Sequence, residues 1–150
     1  MVSTDSKALI QRFYQLQSER LEAYRLFEEG HEAYLKTGPR YDFEHYKQLV
    51  HQITLAFSGI SKEVLDIKDE LRLRLDRPDL SEHVDKLQCR EKRKLQLTAQ
   101  LQLARQRAQD HPEDETSLET VRRLKQEIVK TQEALSEIMQ DFKYDSEESH

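Results

Sequence analysis

The chain has 150 residues, of which 35% are Asp, Glu, Lys or Arg and 36% are apolar, and its formal net charge is −5. Three glycines and three prolines are too few to supply the turns of a β-sandwich or a doubly wound α/β fold, so we expect long amphipathic helices. The negative net charge disfavours general attraction to nucleic acid or anionic lipid, and no apolar run approaches the roughly 18 residues of a membrane span.

The prolines divide the chain into segments of helical length, because proline lacks an amide donor and restricts the residue before it. They are Pro39, Pro78 and Pro112. The predicted helices cover about residues 5–37, 42–75, 79–109 and 116–142. Asp42 is expected to cap the second helix, and Thr116 with Glu119 is expected to form a capping box on the fourth. Short connections predict antiparallel neighbours.

Apolar residues recur at alternating spacings of three and four in the second and fourth segments, which is typical of a coiled-coil-like seam. The second seam is Val50, Ile53, Phe57, Ile60, Val64, Ile67 and Leu71, and the fourth is Val121, Leu124, Ile128, Thr131, Leu135, Ile138 and Phe142. The first and third stripes are interrupted, at Arg20 or Leu21, at His31 and at Glu91. We predict a single all-α domain over residues 1–142, a bundle of four long antiparallel helices, in which Gly59 allows a close helix approach.

The end of the chain has a different character. Residues 143–150 contain three acidic side chains and no apolar stripe. We predict that this segment is a disordered acidic tail.

The residues that could carry chemistry are incomplete as sites. Glu28 and His31 have the Glu-x-x-His spacing of di-iron bundles, but the further ligands that such a site needs are lacking. Cys89 lies near cations but has no base on its helical face and no glycine loop. We therefore predict no enzymatic activity, no cofactor and no metal site.

One stretch, from Lys86 to Arg107, is strongly basic and has a single acidic residue, Glu91. Its basic members are Lys86, Arg90, Lys92, Arg93, Lys94, Arg105 and Arg107. These side chains could face the phosphates of a nucleic acid, although the stretch has no aromatic residue for base stacking. A solvated face that pairs with acidic helices is the alternative interpretation.

Most of the aromatic residues lie in the first third of the chain. Those on the apolar stripes are expected in the core. Tyr14, Tyr41 and Tyr46 need not be, and exposed tyrosines near a helix connection are typical of partner interfaces. We consider both core packing and a partner interface for these three.

The compartment can be predicted from cysteine content and the N-terminus. A single cysteine cannot form an intramolecular disulfide, and the first residues lack the basic start and apolar core of a signal peptide. We expect an intracellular protein, nuclear or cytoplasmic, that is not secreted.

Several stretches resemble the required-for-excision B-type domain family. They are residues 19–31, 41–51, 56–65, 77–80 and 94–103, and the likeness runs from about Phe13 into the final helix. The resemblance implies a connection to DNA excision repair. It implies no catalytic residue, so no site residue is carried over from the family.

Taken together, these features predict a non-enzymatic interaction or adaptor module that acts in DNA repair through protein partners. Partner recognition would use an apolar groove or a tyrosine-bearing edge. Homodimerisation is the structural alternative, and direct nucleic-acid binding through the basic stretch is the functional one.

Overall fold

The computed structural model describes residues 4–147, and in this range it contains four α-helices and no strand. The helices are α1 (Thr4–Leu35), α2 (Phe43–Leu73), α3 (Pro78–Asp110) and α4 (Glu115–Glu147). Consecutive helices pack against each other, so the all-α bundle predicted from the sequence is confirmed. Within the described residues, no helix combines the length and apolarity needed to cross a bilayer.

The helix boundaries follow from local hydrogen bonds. The Asp42 carboxylate accepts a bond from the His45 amide at 3.3 Å, as expected for the cap of α2. Pro78 occupies the first turn of α3, where its missing N–H costs nothing. At α4 the helix begins one residue earlier than predicted, and the predicted cap is two residues late: Asp114 rather than Thr116 is the capping side chain and accepts the Thr116 amide at 3.0 Å.

The apolar core is divided along the bundle axis into three clusters. The first contains side chains of all four helices and lies where α1 and α3 begin and α2 and α4 end. Its members are Phe13, Leu16, Ile60, Val64, Ile67, Leu71, Leu80, Val84, Leu87, Leu135 and Phe142. The second joins α1 to α2 around Tyr24 and Phe57, and the third joins α3 to α4 around Leu97 and Leu124.

The expectation for Gly59 is wrong. This residue is exposed, and a Cβ atom built on it would meet no atom within 4 Å. The close approach of α1 and α2 occurs instead at Gly30, where a Cβ would lie 1.8 Å from the Leu49 side chain. The regular seam of α2 did not indicate which glycine faces a neighbouring helix.

The last helix continues past residue 142, where the sequence predicted the start of a disordered tail, and ends at Glu147. The contacts of Asp145 account for this extension. Its carboxylate lies 2.6 Å from His83 Nε2, and its backbone carbonyl accepts a hydrogen bond from Arg77 at 3.0 Å. Residues 148–150, the rest of the predicted tail, lie outside the described residues.

Candidate functional site

Two of the three singled-out tyrosines lie where α1 connects to α2. Tyr41 and Tyr46 both stack on Tyr34, with ring centroids 4.9 and 4.4 Å away. Their hydroxyls donate to Asp110 and Gln102 of α3. Burial is the main cause that raises the pKa of Tyr46 to about 12. These rings therefore fasten the connection to the end of α3.

Tyr14 lies at the opposite end of the bundle. Its ring stands edge-on to Phe142 of α4 at 5.9 Å and also contacts Phe13. The side chain is half-buried, and burial raises its pKa. All three tyrosines thus have contacts within the chain, and a partner interface built on them stays a prediction.

The structure separates the members of the basic stretch. Lys86 lies within 3.6 Å of Glu82, and Arg93 lies within 3.4 Å of Glu127 on α4. Lys94 is only 8% exposed and belongs to the interior of the bundle. Two of the seven basic side chains are thus paired with carboxylates and a third is buried, so fewer of them are exposed and unpaired than the sequence suggested.

The remaining members of the stretch lie on different parts of α3. Arg90, Lys92 and Arg107 are exposed. Arg105 is half-buried and lies close enough to His31 to lower the pKa of that histidine. A role in phosphate binding stays a prediction and rests on the three exposed side chains.

A layer of buried and half-buried polar side chains crosses the middle of the bundle, between the apolar clusters. Arg20 of α1 is 2% exposed and donates to Glu91 of α3 at 3.0 Å. The same guanidinium donates to Gln17 and Gln88, both at 2.7 Å. We call Arg20, Gln17, Gln88, Glu91 and Lys94 the polar layer.

Lys94 stands in the polar layer with its ammonium 4.1 Å from the centre of the Tyr24 ring. No carboxylate of the described residues lies within ion-pair distance of this ammonium. Burial is the main cause that lowers the pKa of Lys94, and the attraction of Glu91 and Glu28 offsets it only in part. The layer therefore contains two cations, Arg20 and Lys94, and one anion.

An open groove lies above this layer, between α1 and α4. No Cα atom of α1 comes within 8 Å of a Cα atom of α4 in the described chain, although the helices touch through Phe13 and Phe142 at one end. The groove walls are formed by Gln17, Leu21 and Tyr24 of α1 and by Gln132, Leu135, Ser136 and Met139 of α4. Its floor contains Glu91 and Lys94, and Leu21 is 58% exposed at its edge.

The sequence contained part of the signal for this site. Arg20 and Glu91 both fall on apolar stripes, and a charged residue on an apolar stripe indicates a buried partner. Lys94 was assigned to the basic stretch because it follows Lys92 and Arg93 in the sequence. Its position on the helix face that carries Glu91 is the feature that places it in the groove.

The Glu28 and His31 pair does not form the start of a metal site. His31 is 2% exposed and its ring contacts Tyr34 and Tyr46, whereas Glu28 is exposed. Burial lowers the pKa of His31 to about 4, and the charge of Arg105 adds to this effect. Within the described residues, no group of three or more His, Cys, Asp or Glu side chains could hold a metal ion.

Comparisons with known proteins identify the family that the sequence resembles. The family model described as DNA repair REX1-B matches residues 8–105. A bovine protein named Required for excision 1-B domain-containing protein is 41% identical over 94% of this chain and 77% of its own length. The mouse protein of the same name is 37% identical over 93% of this chain and 80% of its own length. No solved structure matches significantly.

Proposed function

Because this chain belongs to the DNA repair REX1-B family, we propose that it is a non-enzymatic adaptor that binds protein partners in DNA repair through the groove between α1 and α4. The family description links the chain to DNA repair. The adaptor role, the use of the groove and an intracellular location, in the nucleus or the cytoplasm, are our proposal.

The observation that carries the proposal is the composition of the groove. Leu21 and Met139 provide apolar contact area between two helices whose backbones stay apart, and the buried Leu135 lies beneath them. A groove between two helices is a typical site for a third helix, which binds by placing its apolar side chains between them. The exposed Leu21 at the edge would be covered in such a complex.

Direct nucleic-acid binding has weaker support. A phosphate-binding surface needs several exposed cations that act together, because affinity depends on the number of phosphates neutralised. Lys94 lies in the groove floor, and Lys86 and Arg93 lie near acidic side chains. This leaves Arg90, Lys92 and Arg107 on the exposed surface of α3.

The proposed function is tested by comparing two leucine variants of the full chain as bait, followed by cross-link mapping. Leu21→Arg obstructs the groove, and Leu55→Arg is the matched control because Leu55 on α2 is 60% exposed and does not line this groove. We expect partner proteins whose cross-links flank α1 and α4 and whose binding is lost only in Leu21→Arg. Equal binding by the two variants would exclude the groove.

A salt titration separates the two functions. Binding to a duplex oligonucleotide through the basic stretch should weaken steeply with salt and should be lost when Arg90, Lys92 and Arg107 are changed to Glu. Binding of a partner helix in the groove should change little under both treatments. Sedimentation of the purified chain tests homodimerisation in the same buffer.

A further inference from the structure

The polar layer has an uncompensated positive charge directly beneath the groove. Arg20 is paired with Glu91, and no carboxylate of the described residues lies within ion-pair distance of Lys94, although Glu91 and Glu28 attract it from farther away. Lys94 is more than nine-tenths buried, so water screens its charge poorly. A buried cation without an anionic partner is costly, which means that an anion able to reach it would bind favourably.

The walls of the groove indicate what kind of molecule would carry that anion. Leu21 and Met139 present apolar surface to the groove, and a phosphate backbone would leave it uncovered. The wall of α1 from Gln17 to Tyr24 extends along about two turns of helix. An amphipathic helix covers such a surface, and one acidic side chain on its apolar face would reach the floor.

We propose that the groove binds an amphipathic helix of a partner protein that carries one Asp or Glu on its apolar face, and that this carboxylate pairs with the ammonium of Lys94. The inference rests on the proposed function, since it names the partner chemistry of the same groove. The carboxylate balances the second cation of the polar layer, and apolar residues one turn before and after it contact Leu21 and Met139.

The test uses helical peptides of about 18 residues, displayed on phage with the apolar face randomised, and selected against the full chain. We expect the selected peptides to carry one acidic residue within the apolar face. The tightest peptide and its twin with that residue changed to Gln or Asn are then measured by fluorescence anisotropy against wild type and Lys94→Met. Removing the peptide carboxylate should cost about tenfold in affinity on wild type and about twofold or less on Lys94→Met.

Three variants serve as controls, each checked for its fold by circular dichroism. Lys94→Arg keeps the charge and should retain a larger carboxylate effect than Lys94→Met. Leu21→Arg should abolish peptide binding, and the matched Leu55→Arg should leave it unchanged.

The outcomes separate the two proposals. If Leu21→Arg abolishes binding but the carboxylate effect is equal on wild type and Lys94→Met, the inference is overturned and the proposed groove stands. If Leu21→Arg and Leu55→Arg bind alike, or if no peptide is selected, both are overturned. Displacement of the peptide by a duplex oligonucleotide, or a dimer that Leu21→Arg dissociates, would likewise overturn the helix as occupant.

Discussion

Removing the one anion of the polar layer should destabilise the fold more than removing the cation that pairs with it. Glu91→Gln leaves the buried charges of Arg20 and Lys94 without compensation. Breaking a buried ion pair from one side costs about 3–5 kcal/mol, and we expect this variant near the upper limit. Arg20→Met also loses the hydrogen bonds to Gln17 and Gln88, but it leaves one cation and one anion, so we expect a cost near the lower limit.

The free energy of unfolding of each variant can be measured by urea denaturation followed by far-ultraviolet circular dichroism. Adding Lys94→Met to Glu91→Gln removes the second uncompensated cation and should recover about 1–2 kcal/mol. Lys94→Met alone should leave stability unchanged or raise it, because burial lowers the pKa of Lys94 and makes its charged form costly.

Which of the two single variants, Glu91→Gln or Arg20→Met, is more destabilised decides whether the charge imbalance affects stability. If Arg20→Met proves more destabilising than Glu91→Gln, or if Lys94→Met fails to recover stability in the Glu91→Gln background, the charge imbalance has no energetic effect. The proposed pairing of Lys94 with a partner carboxylate would then lose its basis. If the slope of the unfolding free energy against urea concentration changes in a variant, the unfolded or native ensemble itself has changed.

Three other predictions concern separate parts of the chain. The pKa of His31 is lowered to about 4 in the folded protein, against 6.5 in the unfolded chain. The free energy of unfolding should therefore be insensitive to this histidine above pH 6.5 and should fall by about 3 kcal/mol as the pH is lowered towards 4. This fall should be absent in His31→Phe when unfolding is measured against pH. Gly59→Ala should raise the urea midpoint by the equivalent of about 1 kcal/mol, since its Cβ meets nothing, and an unchanged or lower midpoint would contradict the open geometry. Asp145→Asn weakens the contact with His83 and should speed amide exchange in the last turn of α4, with a global cost below about 1 kcal/mol; unaltered exchange would mean that this contact does not hold the turn.

The sequence predicted the helices well where local signals agree. The seam of α2 keeps its spacing without interruption, and six of its residues, Ile53, Phe57, Ile60, Val64, Ile67 and Leu71, are buried. The three prolines and the Asp42 cap located the boundaries to within a few residues. Both kinds of signal depend on neighbours close in sequence, which is why they could be interpreted without a structure.

The candidate site depends on contacts between distant segments. Arg20 and Leu21 are adjacent, and the sequence left open which of them faces the core. The partner that decides this, Glu91, lies 71 residues away on α3. Asp145 likewise extends α4 through His83, 62 residues away. The basic stretch and the acidic tail were recognised from composition along the chain. The groove and the last turn of α4 depend instead on which helix faces the fold brings together.

The polar layer also has a consequence for how α1 and α3 align. Long helices with heptad seams can slide past each other by seven residues and still bury similar apolar area. Such a slip would place Arg20 opposite Val84 or Thr98 instead of Glu91, and Glu91 opposite Phe13 or Phe27. Each slipped arrangement separates the two opposite charges and leaves them buried without a partner. A single ion pair therefore selects one register of α1 against α3 over the two registers that are shifted by seven residues.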